Sequence, residues 1–188
     1  MASIPGDPVP DTVWTIGHST RPLPEFMALL ARHRITLLLD VRTVPRSRHN
    51  PQFNRESLPD ALAAAGVGYA HMPGLGGLRH AAADSRNTGW RNPSFRGYAD
   101  YMQTPAFAAE VARVAAHAAH DRCALMCAEA VPWRCHRSLI ADALTVRGIR
   151  VEDIVGAQRT SAHRLTPFAR VDGLVVTYPP PSKELLGP

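Results

Sequence analysis

Apolar positions along the chain fall into runs of strand length and runs of helix length that alternate. Thr12-Val13-Trp14-Thr15-Ile16 alternates as a strand and stops at Gly17-His18-Ser19-Thr20; helical spacing follows at Phe26, Leu29, Leu30 and His33, with Ser19 or Thr20 placed to cap that helix. Ile35 to Leu39 is almost unbroken apolar sequence, as in a parallel strand covered on both faces, and it stops at Asp40-Val41-Arg42. A helix over residues 55–65 carries Leu58 and Leu62. A third strand is expected over 67–72, and a glycine-rich turn, Pro73 to Arg79, comes after it. Phe95, Tyr98 and Met102 share one helical face, and Thr104-Pro105 opens a further helix reaching about Ala119, with Phe107, Val111 and Val114 as its core stripe.

The second half repeats the alternation. Cys123 to Met126 reads as a short buried strand, and Leu139, Ile140, Ala143 and Leu144 recur at helical spacing, with Pro132 where a first helical turn accepts it. Projected back along that helix, Cys135 and His136 face the sheet, while Arg134, Arg137 and Ser138 lie on the flank of the stripe. Gly148 ends the helix, residues 150–155 form a fifth strand, and 174–178 form an edge strand or hairpin arm. Strand followed by helix, four to five times with short turns, implies an α/β fold. The expected form is a three-layer, open, mainly parallel sheet of Rossmann-like or flavodoxin-like type, with helices on both faces. One domain is expected over 1–188, with a core of about 12–156, a peripheral extension from 157, and loose sequence at Met1 to Asp11 and from Pro179 onward.

Charge changes this picture only slightly. Of 21 Lys plus Arg only Lys183 is lysine, and the net charge is +5. Arginine excess alongside abundant alanine and proline reflects a GC-rich genome as readily as an anionic partner, and a nucleic-acid reading rests on that arginine-rich surface together with the mixture of Trp90, Arg91, Phe95, Arg96, Tyr98 and Tyr101. No apolar run approaches a membrane span, and the first residues lack the pattern of a signal peptide. With three cysteines clustered at Cys123, Cys127 and Cys135, a cytoplasmic protein with reduced thiols is expected.

The densest chemistry lies in Cys127 to Arg137, which holds two thiols, a carboxylate, an imidazole and two further guanidiniums between a strand and a helix. In open α/β sheets ligands bind outside the carboxyl ends of the strands, where His18, Asp40, Arg42, Gly76, Cys127 and Glu129 all fall. Cys127, Glu129, His18 and Asp40 are therefore the candidate catalytic groups. Arg42, Gly76, Gly77, Arg134 and Arg137 are the candidates for holding a small anionic substrate. The glycine-rich turn matches neither phosphate-binding nor dinucleotide-binding spacing.

Thr15-Ile16-Gly17-His18-Ser19, Asp40-Val41-Arg42 with Pro45 and Ser47, Leu75-Gly76-Gly77, Phe95-Arg96-Gly97-Tyr98, Cys127-Ala128-Glu129 and Cys135-His136-Arg137 occur in an order that resembles the domain-of-unknown-function family 488. The resemblance runs from about Val13 to Ile154 and implies a fold and a shared site, without an assigned reaction. Three classes of function stay open. The first is an enzyme using the Cys/Glu/His/Arg pocket on a small anionic or nucleotide-like molecule, its thiolate favoured by a helix N-terminus and nearby arginine. The second is a zinc or iron protein with ligands among Cys127, Glu129, Cys135 and His136. The third is a nucleic-acid binder. The sequence leaves the substrate and the oligomeric state open.

Overall fold

The computed structural model describes residues 12–156 and 159–180; the expected loose lead Met1 to Asp11 and the tail from Pro181 lie outside the described residues. Strands β1 (Thr12–Gly17), β2 (Leu37–Asp40), β3 (Gly68–His71), β4 (Cys123–Cys127), β5 (Arg150–Gly156) and β6 (Arg159–Ala162) form one sheet in the order β3-β2-β4-β1-β5-β6. All neighbours are parallel except β5 and β6, which run antiparallel. A separate hairpin pairs β7 (Arg170–Asp172) with β8 (Val175–Thr177), so the segment around 174–178 is a hairpin arm rather than an edge of the main sheet.

The period-two alternation of the strands sorts the core into two clusters. Val13, Leu39, Leu125 and Cys127 point to one face, and Trp14, Ile16, Leu38 and Met126 to the other. Helices α1 (Leu23–Arg32) and α2 (Leu58–Ala64) cover the second face with Phe26, Leu29, Leu30, Leu58 and Leu62. The first face is covered by α3 (Pro93–Tyr101), α4 (Pro105–Ala118) and α5 (Arg137–Thr145), through Tyr98, Phe107, Val111, Leu139 and Ile140. This is the expected three-layer α/β fold. None of the described helices is long and apolar enough to cross a membrane.

Layering also locates the site. The chain leaves β1 for a helix on one face and leaves neighbouring β4 for a helix on the other, so their carboxyl ends diverge and leave a crevice between them. Gly17 and Cys127 sit side by side at that point. A Cβ on Gly17 would stand 1.8 Å from the Glu129 carbonyl oxygen, so only glycine lets the loop after β4 cross the end of β1. His18 N–H to the Cys127 carbonyl and Ser19 N–H to the Ala128 carbonyl, both 2.9 Å, tie the two loops together.

Several local expectations are corrected. The residue preceding α1 is Pro22, and neither Ser19 nor Thr20 caps it. α2 starts at Leu58, after a single 3-10 turn at Pro51–Phe53, rather than at Arg55. Thr104 does cap α4, accepting from Phe107 N–H at 3.2 Å. The largest correction concerns α5, which begins at Arg137 and not near Pro132. Pro132–Arg134 forms one 3-10 turn, and Cys135 is extended at φ −133°. Helical projection beyond Arg137 therefore fails, and Arg137 and Ser138, expected on the flank, are buried.

Candidate functional site

Cys127 ends β4, and Cys135 and His136 close the loop that leads into α5. The Cys127 sulfur, the Cys135 sulfur and one ring nitrogen of His136 all lie within 4.8 Å of one another, and the three cysteines are free thiols. His136 is oriented from both ends. Its Nδ1 stands 3.6 Å from the Cys135 sulfur and its Nε2 3.2 Å from the Val41 carbonyl oxygen. The ring lies against Gly77, where a Cβ would stand 2.6 Å from Nδ1, while a Cβ on Gly76 would meet Thr43 Oγ1 at 2.3 Å. The glycines of this turn thus admit neighbouring side chains.

Below the thiols lies Arg137, 1% exposed. Its Nη1 donates to Thr15 Oγ1 at 3.0 Å and its Nη2 to the Glu129 carbonyl at 2.6 Å, while Nε has no hydrogen-bond partner. Burial opposes its charge, yet the sulfurs of Cys127 and Cys135 set against it push the guanidinium pKa above its ordinary value. The two thiols act as a pair that gives up its first proton readily and its second with difficulty. Cys135 is lowered to about 6 by the neighbouring Cys127 thiol first, then by Arg137, against the opposing effect of burial. Cys127 is raised by the neighbouring Cys135, reinforced by burial. His136 is lowered by burial, which favours its neutral ring. Cys123, inside β4, is raised to about 12 by burial and takes no part in the cluster.

A cavity of about 400 Å³ opens over this cluster. Cys127, Cys135 and His136 lie at its base; Arg42, Glu129, Gly77 and Arg134 line it with the more apolar Val44, Leu78 and Phe95. A neighbouring cavity takes in His18, Ser19, Arg46, Asn50 and again Arg42, Glu129 and Arg134. The expected site residues thus separate. Cys127, Glu129, Arg42, Gly77 and Arg134 reach the thiol cavity, His18 only the neighbouring one, and Asp40, Gly76 and Arg137 line neither.

Asp40 is fully buried and serves as an anchor. It binds Arg42 through both carboxylate oxygens, at 2.9 and 2.6 Å, and accepts from Tyr69 Oη at 2.8 Å. Arg42 spends its remaining donors on the Phe53 carbonyl and on His18 Nε2, which leaves little of its fork for a substrate. His18 stacks on Phe53 at 4.3 Å between ring centroids, and burial lowers its pKa to about 4. Glu129 is exposed and lies outside the cluster of Cys127, Cys135 and His136. Trp90 and Phe95 pack on each other at 4.7 Å, and Trp90 packs edge-on to Phe168, so these rings are engaged inside an aromatic cluster.

Sequence reasoning missed the groups that hold Arg137. Thr15 accepts from it and donates to Asp153 Oδ1 at 2.5 Å, and His163 lies between Asp153 and Asp142, at 3.9 and 2.8 Å. Asp153, raised by burial, sits opposite Thr15 in the β1–β5 register. An acidic residue inside an interior parallel strand was the available signal. No curated protein and no solved structure matches the chain. The family comparison matches residues 22–144, taking in Asp40, Arg42, Gly77 and the whole thiol cluster, and the chain belongs to the family described as Domain of unknown function DUF488.

Proposed function

We propose that the protein is a cysteine-thiolate enzyme that acts on a small molecule held in the cavity above Cys127 and Cys135. The observation that carries this reading is the buried guanidinium of Arg137. An uncompensated buried cation costs several kcal/mol; its Nε has no hydrogen-bond partner, and the neighbouring groups that favour its charge are the sulfurs of Cys127 and Cys135. A resting thiolate supplies the missing negative charge. Cys135 is the nucleophile, the Cys127 thiol stands beside it, and the neutral His136 ring is placed to accept or return a proton. Arg134, which among the described residues has no side-chain hydrogen bond or ion pair, is the wall residue available to an anionic end of the ligand. Asp40, Arg42 and His18 brace the floor.

A second reading has an observation of its own, namely the three soft donors converging within 4.8 Å with His136 steadied by a backbone carbonyl, as metal-bound imidazoles are. Zinc or iron(II) would neutralise two thiolates and leave Arg137 without its counter-charge, which ranks this reading second. Alkylation with iodoacetamide across pH 5 to 9, mapped by mass spectrometry, tests both. The thiolate reading expects Cys135 to react first, with an apparent pKa below that of an ordinary thiol. Stoichiometric zinc or iron in protein purified without chelators, removal of which unmasks Cys135, would assign the cluster to the metal.

A further inference from the structure

A nucleophile that only transfers a group needs one thiol; this site holds two, side by side and sharing contact with one buried cation. We infer that Cys127 and Cys135 form a two-electron redox pair that reduces an organic hydroperoxide. This rests on the thiolate reading above and names its substrate class. The second thiol is placed to resolve an oxidised Cys135, since its sulfur already lies within 4.8 Å and both residues flank one loop, Ala128 to Arg134. Trp133 and Arg134 at the end of that loop are exposed, and the disulfide requires the loop to draw in by the remaining gap to bonding distance.

Burial selects the oxidant. Both cysteines are 3% exposed, at the base of a cavity walled by Val44, Leu78 and Phe95. A disulfide substrate must bring a sulfur substituted on its far side into line with the attacking thiolate. A hydroperoxide presents a slim terminal O–OH and leaves its carbon skeleton among the apolar walls. In the first step the Cys135 thiolate attacks the terminal oxygen, an S–O bond forms, the O–O bond breaks, and the alkoxide leaves and takes a proton from water. The Cys127 sulfur then attacks the sulfenic sulfur; the S–S bond forms, and hydroxide leaves with the Cys127 proton as water. Hydroperoxide is reduced to alcohol and the dithiol is oxidised to a disulfide, which an external dithiol reductant returns to the start.

The test uses the full chain with cumene hydroperoxide as probe. Intact mass should show loss of two hydrogens, peptide mapping should find a Cys127–Cys135 disulfide, and dithiothreitol should restore the dithiol and sustain turnover. Cys127→Ser should stop after one equivalent with a dimedone-reactive sulfenic acid at Cys135, and Cys135→Ser should consume peroxide no faster than buffer. Hydrogen peroxide, lacking an apolar body, should react more slowly than the cumyl compound. Direct oxidation of Cys135 to sulfinic acid without a disulfide would overturn the inference, as would faster reaction with hydroxyethyl disulfide than with the hydroperoxide. If Cys135 alkylates as a low-pKa thiolate yet ignores hydroperoxide, the redox inference falls and the thiolate reading stands; if it does neither, both fall.

Discussion

Replacing Arg137 by methionine keeps much of the side-chain length and removes the charge. Two hydrogen bonds are lost, to Thr15 Oγ1 and to the Glu129 carbonyl, each worth about 1.5–3 kcal/mol for a charged donor. Release of a buried guanidinium from its desolvation cost offsets them by several kcal/mol, so the fold should survive with a net loss within about 3 kcal/mol. The thiol pair should respond more clearly. A unit charge about 4 Å from a thiolate is worth up to about 4 kcal/mol at an effective dielectric of 20, or about three pKa units, as an upper bound. Because the neighbouring Cys127 thiol lowers Cys135 more than Arg137 does, only part of this should appear, a rise of about one to two units in the apparent pKa of Cys135. Thiolate absorbance and iodoacetamide rates against pH would measure it, with Arg137→Lys as a partial rescue. A folded Arg137→Met protein whose alkylation midpoint does not move would refute the idea that this cation holds the thiolate.

The same linkage sets a pH window for stability. Cys135 is depressed to about 6, so its contribution is fully present above the unfolded thiol's value near 8.5 and is lost as pH falls through about 6; urea denaturation should show stability rising between those limits, with a flatter rise in Arg137→Met. His18 titrates in the folded protein at about 4, so its contribution is present above the unfolded value of about 6.5 and is lost as pH falls from there toward 4. His18→Phe, which preserves stacking on Phe53, should reduce the stability lost between pH 7 and pH 5, and an NMR titration of the His18 ring gives the direct reading. Asp40→Asn should destabilise the protein by about 3–5 kcal/mol, measured by chemical denaturation, because it leaves Arg42 buried without its counter-charge.

The fold was legible because its signals are local. Ile35 to Leu39 and Cys123 to Met126 had to be doubly covered strands, and the strand-end position of Cys127 followed from that. Failure began where regular structure ended. Helical periodicity was extended through Pro132 to Cys135, a stretch that is one 3-10 turn and an extended residue, so Arg137 was assigned to a flank when it is almost wholly buried beside the thiols. Asp40 looked catalytic because strand ends collect catalytic groups. Its bidentate grip on Arg42, two residues on, was readable only as a possibility, and the hydroxyl of Tyr69 comes from a different strand. The Thr15–Asp153 contact joins positions 138 apart in sequence, and no pattern along one strand announces its neighbour.

The cavity's floor and its walls are built from different material. Cys127, Cys135, His136 and Arg137 are fixed by hydrogen bonds to β1, to Val41 and to the loop after β4, whereas Val44 and Leu78 stand on exposed loops that carry none of those bonds. Exchanging the 44–51 or 78–80 segments for others of equal length, with Thr43 and Gly77 kept, should therefore change which molecules fit without disturbing the thiol chemistry beneath. Within such a scaffold, ligand preference and reactivity are separately adjustable, and divergence among related chains is expected to concentrate on the walls.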